Sequence, residues 1–220
     1  MRLSAVIATM KAKGWKVYTA AYELNILALR SASTRPGAFD DRLLVFWRDH
    51  KGRWNQRIYP VTTDPGLYWL HHPMNPNGTA ILASGQYPHA WKIGKHKGSY
   101  PALVQRDSVT VVRDPNRDGV LDFGSQNRES GHFGINVHRA GAAGITEVVD
   151  KWSAGCVVFA SARDFSEFIG LCSTHRKLHD NRFTLALIDL RELSRRKAKR
   201  FLIRLGLASG LALLLYQLFK

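Results

Sequence analysis

The chain has 220 residues, 32 Lys+Arg against 17 Asp+Glu, and a formal net charge of +15. Hydrophobic residues make up 45% and charged residues 22%, a globular balance that excludes a disordered chain. No repeat, heptad or collagen period is present, and two cysteines without CxxC spacing exclude a disulfide scaffold, a zinc ribbon and a dithiol redox motif.

In chain order, an amphipathic helix is expected over 3–13, ending near Gly14. Its apolar patch, Ala5 to Ala8, is too short for a signal-peptide core, so no export signal is expected. Strands follow at 23–30, where polar and apolar residues alternate, and at 42–49, an apolar run bounded by charges. Further strands are expected at 57–63, 90–94, 102–105, 109–113, 132–139 and 155–160, with Pro73 to Gly78 as a loop. Ser161 and Asp164 cap a helix whose Phe165, Phe168, Ile169 and Cys172 share one face. A last strand is expected over 183–190. The class is mainly β (α+β), with one domain over 1–190.

Beyond it the composition changes. A basic segment, 191–200, leads into an apolar run, 201–219; Arg191 to Arg204 holds seven Lys/Arg against Glu192 alone, a net +6 of the chain's +15. Nineteen helical residues reach roughly 28 Å at ~1.5 Å each, close to the hydrocarbon thickness of a bilayer. Apolar residues surround this helix, which argues for a C-terminal transmembrane helix over a surface-lying one. The charge collar suits anionic lipid headgroups, so a lipid partner is expected and a nucleic-acid partner is not. The positive-inside rule keeps the collar, and the domain with it, on the cytoplasmic side.

The chemistry concentrates in 132–159. His138 is separated by fourteen residues from Ser153-Ala154-Gly155-Cys156. A thiol nucleophile needs a neighbouring base, commonly imidazole, and strands joined by such a loop can bring the two together. Gly155 permits a tight turn whose amides, from Gly155 and Cys156, would face a developing oxyanion. Spacing alone fits equally a strand cysteine and an unrelated surface histidine. Asn136, Arg139 and His132 are candidate substrate contacts, and Ser153 joins Cys156, His138 and Gly155 in the candidate catalytic set.

These residues resemble the signature of the L,D-transpeptidase catalytic domain: a His, fourteen to seventeen residues, then Ser/Thr-His-Gly-Cys. Gly134-Ile135-Asn136-Val137-His138 is similar to the strand entering that family's catalytic His. Ala154 and Val158 depart from it, standing where the family has His and commonly Arg or Asn. A closer resemblance, over about 10–190, is to phage and bacterial endolysin-like proteins in which Ser-Ala-Gly-Cys is the usual form. It rests on Tyr22 to Ile26, Thr62 to Gly66, Asn75 to Ala80 and Lys151 to Cys156.

The resemblance implies a sandwich-like β fold and a peptidoglycan stem-peptide substrate. It implies a thioester mechanism in which His138 deprotonates Cys156, leading to cross-linking or cleavage. The alternative is an inactive, membrane-tethered envelope-binding protein. Peptidoglycan lies outside the membrane, whereas the topology rule holds the domain inside. For a phage product, a holin that opens the membrane at lysis would resolve the conflict; a membrane-permeabilising C-terminal segment or an overridden topology rule would also resolve it.

Asp114-Pro115-Asn116-Arg117-Asp118-Gly119-Val120-Leu121-Asp122 follows the calcium-loop template at positions one, three, five, six and nine, but position twelve is Ser125. An Asx-rich turn with Gly119 at positive φ is the simpler expectation. A structural Ca²⁺ on Asp114, Asn116, Asp118 and Asp122 is the alternative, and the chemistry itself requires no cofactor. Trp47, Trp54, Trp69 and Trp91 suit core or cleft walls, and Cys172 a packed thiol. His71, His72, His89 and His96 are spread through loops without ligand spacing.

Overall fold

A computed structural model describes residues 2–192. The apolar helix expected over 201–219, and the basic segment from 193 onward, lie outside the described residues. Within them no helix is long and apolar enough to cross a membrane.

Among the described residues, eleven strands and three α-helices make a mixed, mainly β structure. Helix α1 (Leu3–Ala12) precedes β1 (Asn25–Arg30), β2 (Asp41–Arg48) and β3 (Trp54–Thr62). Short helix α2 (Leu67–His71) leads to β4 (Thr79–Leu82), β5 (Gly85–His96), β6 (Tyr100–Gln105), β7 (Val109–Asp114) and β8 (Arg128–Gly131). Then come β9 (Val137–Arg139), β10 (Val157–Phe159), α3 (Ala162–Leu178) and β11 (Phe183–Asp189). Eight strands close into a barrel, in the order β1-β11-β5-β6-β9-β10-β3-β2, and β4-β7-β8 form a separate sheet. The expected two-layered sandwich is thus not what the strand pairing describes.

Strand alternation explains the packing. Ile26 and Ala28, Leu43 and Val45, and Leu185 and Leu187 join the main core, while Leu27, Leu29, Leu44, Phe46, Ala186 and Ile188 form a second cluster on the opposite face. Val6 and Met10 of α1 cover that second face, so these strands are apolar on both sides and read as continuous runs. Ser161 accepts a hydrogen bond from the Asp164 amide and caps α3 as expected. Phe165, Phe168 and Cys172 of α3 enter the main core. β4, β8 and α2 were not expected; they are short, and their pairing is set by partners distant in sequence.

Two non-local features place the functional segment. β9 and β10 pair in parallel, Val137 opposite Val157 and His138 opposite Val158. Trp91, fully buried, donates its indole N–H to the Ile135 carbonyl at 2.7 Å, fixing the chain that enters β9.

Candidate active site

With Val137 and Val157 in register, Asn136 and Cys156 stand level at the start of the paired strands. Side chains alternate, so Asn136, His138 and Cys156 share one face and Val137 and Val157 the other. The backbone amide of Asn136 donates to Cys156 Sγ at 3.4 Å, and the thiol donates to the Gly134 carbonyl at 3.5 Å. Cys156 keeps partial exposure, whereas Cys172 is buried. Burial pushes the Cys156 thiol pKa up, against the opposing pull of the Asn136 amide and the Lys97 charge.

His138 is 3% exposed. Its Nδ1 donates to the carbonyl of Arg139 at 2.8 Å, which leaves the lone pair on Nε2. The Tyr100 hydroxyl donates to the same carbonyl at 3.2 Å and stands 3.4 Å from Nδ1. Burial, with the neighbouring His96 second, pushes the His138 pKa down to about 3. A neutral thiol and a neutral imidazole on one face of the paired strands follow.

His96 belongs to this site, against the sequence expectation of an unconnected loop histidine. Its ring stacks on His138, centroids 3.9 Å apart at 17°. The Asn136 carboxamide N–H₂ donates to His96 Nδ1 at 3.1 Å, while its oxygen accepts the Gln105 amide at 2.9 Å. Asn136 therefore holds His96 through its side chain and the thiol through its backbone. His96 arrives here because it closes the β5–β6 hairpin opposite Tyr100. The signal was the turn His96-Lys97-Gly98-Ser99-Tyr100 between two expected strands.

The nucleophile turn is tied internally. Ser153, fully buried, accepts the Gly155 amide at 3.2 Å and donates to the Cys156 carbonyl at 2.9 Å. Its hydroxyl shapes the turn, and the Gly155 N–H, expected to face an oxyanion, is already engaged. The Cys156 N–H has no partner among the described residues. Gly155 has φ +116, and a Cβ there would be driven into the Ala80 carbonyl oxygen, so only glycine fits. The Gly66 amide donates to the Ser153 carbonyl at 2.9 Å and holds the turn from the other side.

Two clefts lie near these residues, one reaching His138 and the other Ala154. One, of about 270 Å³, is lined by His96, Lys97, Tyr100, His138, Arg139, Lys151 and Trp152 among others. It carries three cationic side chains and no acid. Arg139 lies over the Tyr100 ring at 4.4 Å and donates to the Gly141 carbonyl at 2.7 Å. The other, of about 250 Å³, is lined by Trp69, Thr79, Arg113, His132, Phe133 and Ala154 among others. His132 thus faces the second cleft, its Nε2 bonded to the Arg106 carbonyl at 3.0 Å. The loop 114–122 begins at the end of β7. Among the described residues no three His, Cys, Asp or Glu side chains form a ready metal centre. No family model, curated protein or solved structure matches the chain.

Proposed function

We propose that the protein is a cysteine acyltransferase or peptidase acting on peptidoglycan stem peptides, with Cys156 as nucleophile and His138 as base. The observation that carries this reading is the His138 Nδ1–Arg139 carbonyl bond, which presents a free Nε2 lone pair on the same face as Cys156. In this reading the strand-rich domain is a variant of the L,D-transpeptidase β fold.

Rotation about the Cys156 Cα–Cβ bond exchanges the Gly134 carbonyl for His138 Nε2, the tightening expected when substrate fills a resting site. Nε2 takes the thiol proton as Sγ attacks the peptide carbonyl carbon. The Cys156 N–H stabilises the oxyanion, and the imidazolium returns its proton to the departing amine. An amine or water then attacks the thioester, giving its proton to Nε2, and the sulfur leaves and is reprotonated. Lys97, Arg139 and Lys151 give the first cleft a field suited to a peptide carrying free carboxylates. Asn136 acts here through His96 and the thiol. The 201–219 segment, outside the described residues, would anchor the enzyme to membrane lipid, with a holin needed for access if a phage encodes it.

The test is digestion of purified muropeptides by the wild type and Cys156→Ala, with products identified by mass. New cross-linked or shortened peptides are expected from the wild type alone. Identical products would reject the nucleophile. One observation favours an inactive envelope-binding protein instead: at rest the thiol bonds to Gly134 rather than to His138. Retained muropeptide binding without turnover would select that reading.

A further inference from the structure

The two stacked imidazoles of the site carry opposite hydrogen-bond polarity, and backbone groups decide which is which. The Gln105 N–H can only donate, so the Asn136 side-chain atom that meets it at 2.9 Å is the carboxamide oxygen. The carboxamide nitrogen then faces His96 Nδ1 at 3.1 Å, and Nδ1 must accept. A neutral His96 therefore carries its proton on Nε2. His138 is the reverse, because the Arg139 carbonyl takes its Nδ1–H and leaves Nε2 bare. Neither Nε2 has a hydrogen-bond partner among the described residues or is sealed from solvent, and both rings line the first cleft.

The β5–β6 hairpin adds a charge beside that donor. The Ser99 amide bonds to the His96 carbonyl at 2.9 Å, with Lys97 at φ +48 and Gly98 at φ +73 between them. Lysine thus holds a left-handed turn position where Asn or Gly is the unstrained choice. The other cations of the cleft are occupied: Arg139 donates to the Gly141 carbonyl, and Lys151 lies over the Tyr68 ring at 4.3 Å. The Lys97 ammonium has no partner among the described residues. Burial, then the Lys97 charge, push the His96 pKa down, so the ring is neutral and keeps the tautomer that Asn136 sets.

We propose that His96 and Lys97 form the substrate's carboxylate site, the Nε2–H and the ammonium holding one carboxylate beside His138. The inference rests on the acyltransferase reading for its ligand, a stem peptide, and on geometry alone for the donor. A neutral Nε2–H binds an oxygen without giving up its proton, so His138 remains the base. The bound carboxylate also favours the imidazolium that forms on His138, a ring that burial otherwise keeps neutral.

The test has two arms, both on the full chain. NMR with ¹⁵N-labelled imidazoles at pH 7, assigned with His96→Gln, should show His96 protonated on Nε2 and His138 on Nδ1. A His96 protonated on Nδ1, or on both nitrogens, would overturn the proposal. The second arm removes turnover with Cys156→Ala and titrates a synthetic stem tetrapeptide calorimetrically, its carboxylates free or amidated. In that background His96→Phe, which keeps a stacking ring but no N–H, should bind the free peptide roughly tenfold or more weakly. His96→Gln, whose terminal N–H₂ stands in for Nε2–H, should stay within about threefold. The amidated peptide should bind weakly and alike to all three. Undiminished affinity in His96→Phe, an equal loss in both His96 variants, or no peptide binding at all would overturn the proposal. The expected binding pattern without muropeptide turnover by the wild type would reject the acyltransferase reading alone.

Discussion

The burial of His138 has a consequence that can be read as a dependence of stability on pH. Folding lowers its pKa from 6.5 to about 3. Below pH 6.5 the unfolded chain therefore takes up a proton that the native chain refuses until about pH 3, and stability falls with pH through that window. At pH 5 the unfolded imidazole is about 1.5 units below its pKa, and at about 1.4 kcal/mol per unit this costs the native state about 2 kcal/mol. Because His138 is 3% exposed, solvent screening takes little from this figure. The perturbation is His138→Gln, which keeps an N–H for the Arg139 carbonyl but does not titrate. Urea unfolding at pH 7 and pH 5, followed by tryptophan fluorescence, should show the wild type losing about 2 kcal/mol more than the variant over that step. Carboxylates contribute alike to both proteins and cancel. Equal losses in the two would refute the claim that His138 is held neutral by its surroundings.

Gly155→Ala forces a side chain onto φ +116 and into the Ala80 carbonyl. It should cost about 1–3 kcal/mol from backbone conformation alone, read as a lower denaturation midpoint. A variant as stable as the wild type would show that the turn is looser than drawn. Cys156, part-exposed, should be alkylated far faster than buried Cys172, and its rate should keep rising above pH 9 because burial raises the thiol pKa. Mass mapping after short iodoacetamide pulses checks both statements; a plateau below pH 8 would indicate a thiolate already formed with His138.

Much of the local structure was legible. The Ser161 cap and the Phe165–Phe168–Cys172 stripe identified α3, since both signals lie within one or two helical turns. Strands were found where alternation or a bounded apolar run was clear. The 132–139 strand was drawn too long: only Val137–Arg139 pairs there, while residues 128–131 belong to β8 in another sheet. β4, a four-residue strand paired to β7, had no periodicity long enough to register.

The site divided in the same way. The Cys156–His138 spacing is a sequence property, and together with the resemblance to the L,D-transpeptidase signature it singled out these two residues as candidates. Only the tertiary structure brought His96 and Tyr100 to it, across the β5–β6 hairpin, because the β6–β9 contact joins segments more than thirty residues apart. Only the tertiary structure revealed that Ser153 holds the Gly155 amide, a use of the hydroxyl that depends on the turn's φ/ψ.

What the sequence determined by itself was therefore where the longer periodic strands and the capped helix lie and where the charge is concentrated. Those rest on periodicity and short-range chemistry. The barrel closure through the parallel β1–β11 pairing, the state of each amide around Cys156, and the burial that keeps His138 neutral were decided by long-range contacts. Each depends on which distant residues exclude water from the same few ångströms, and that is a property of the folded chain.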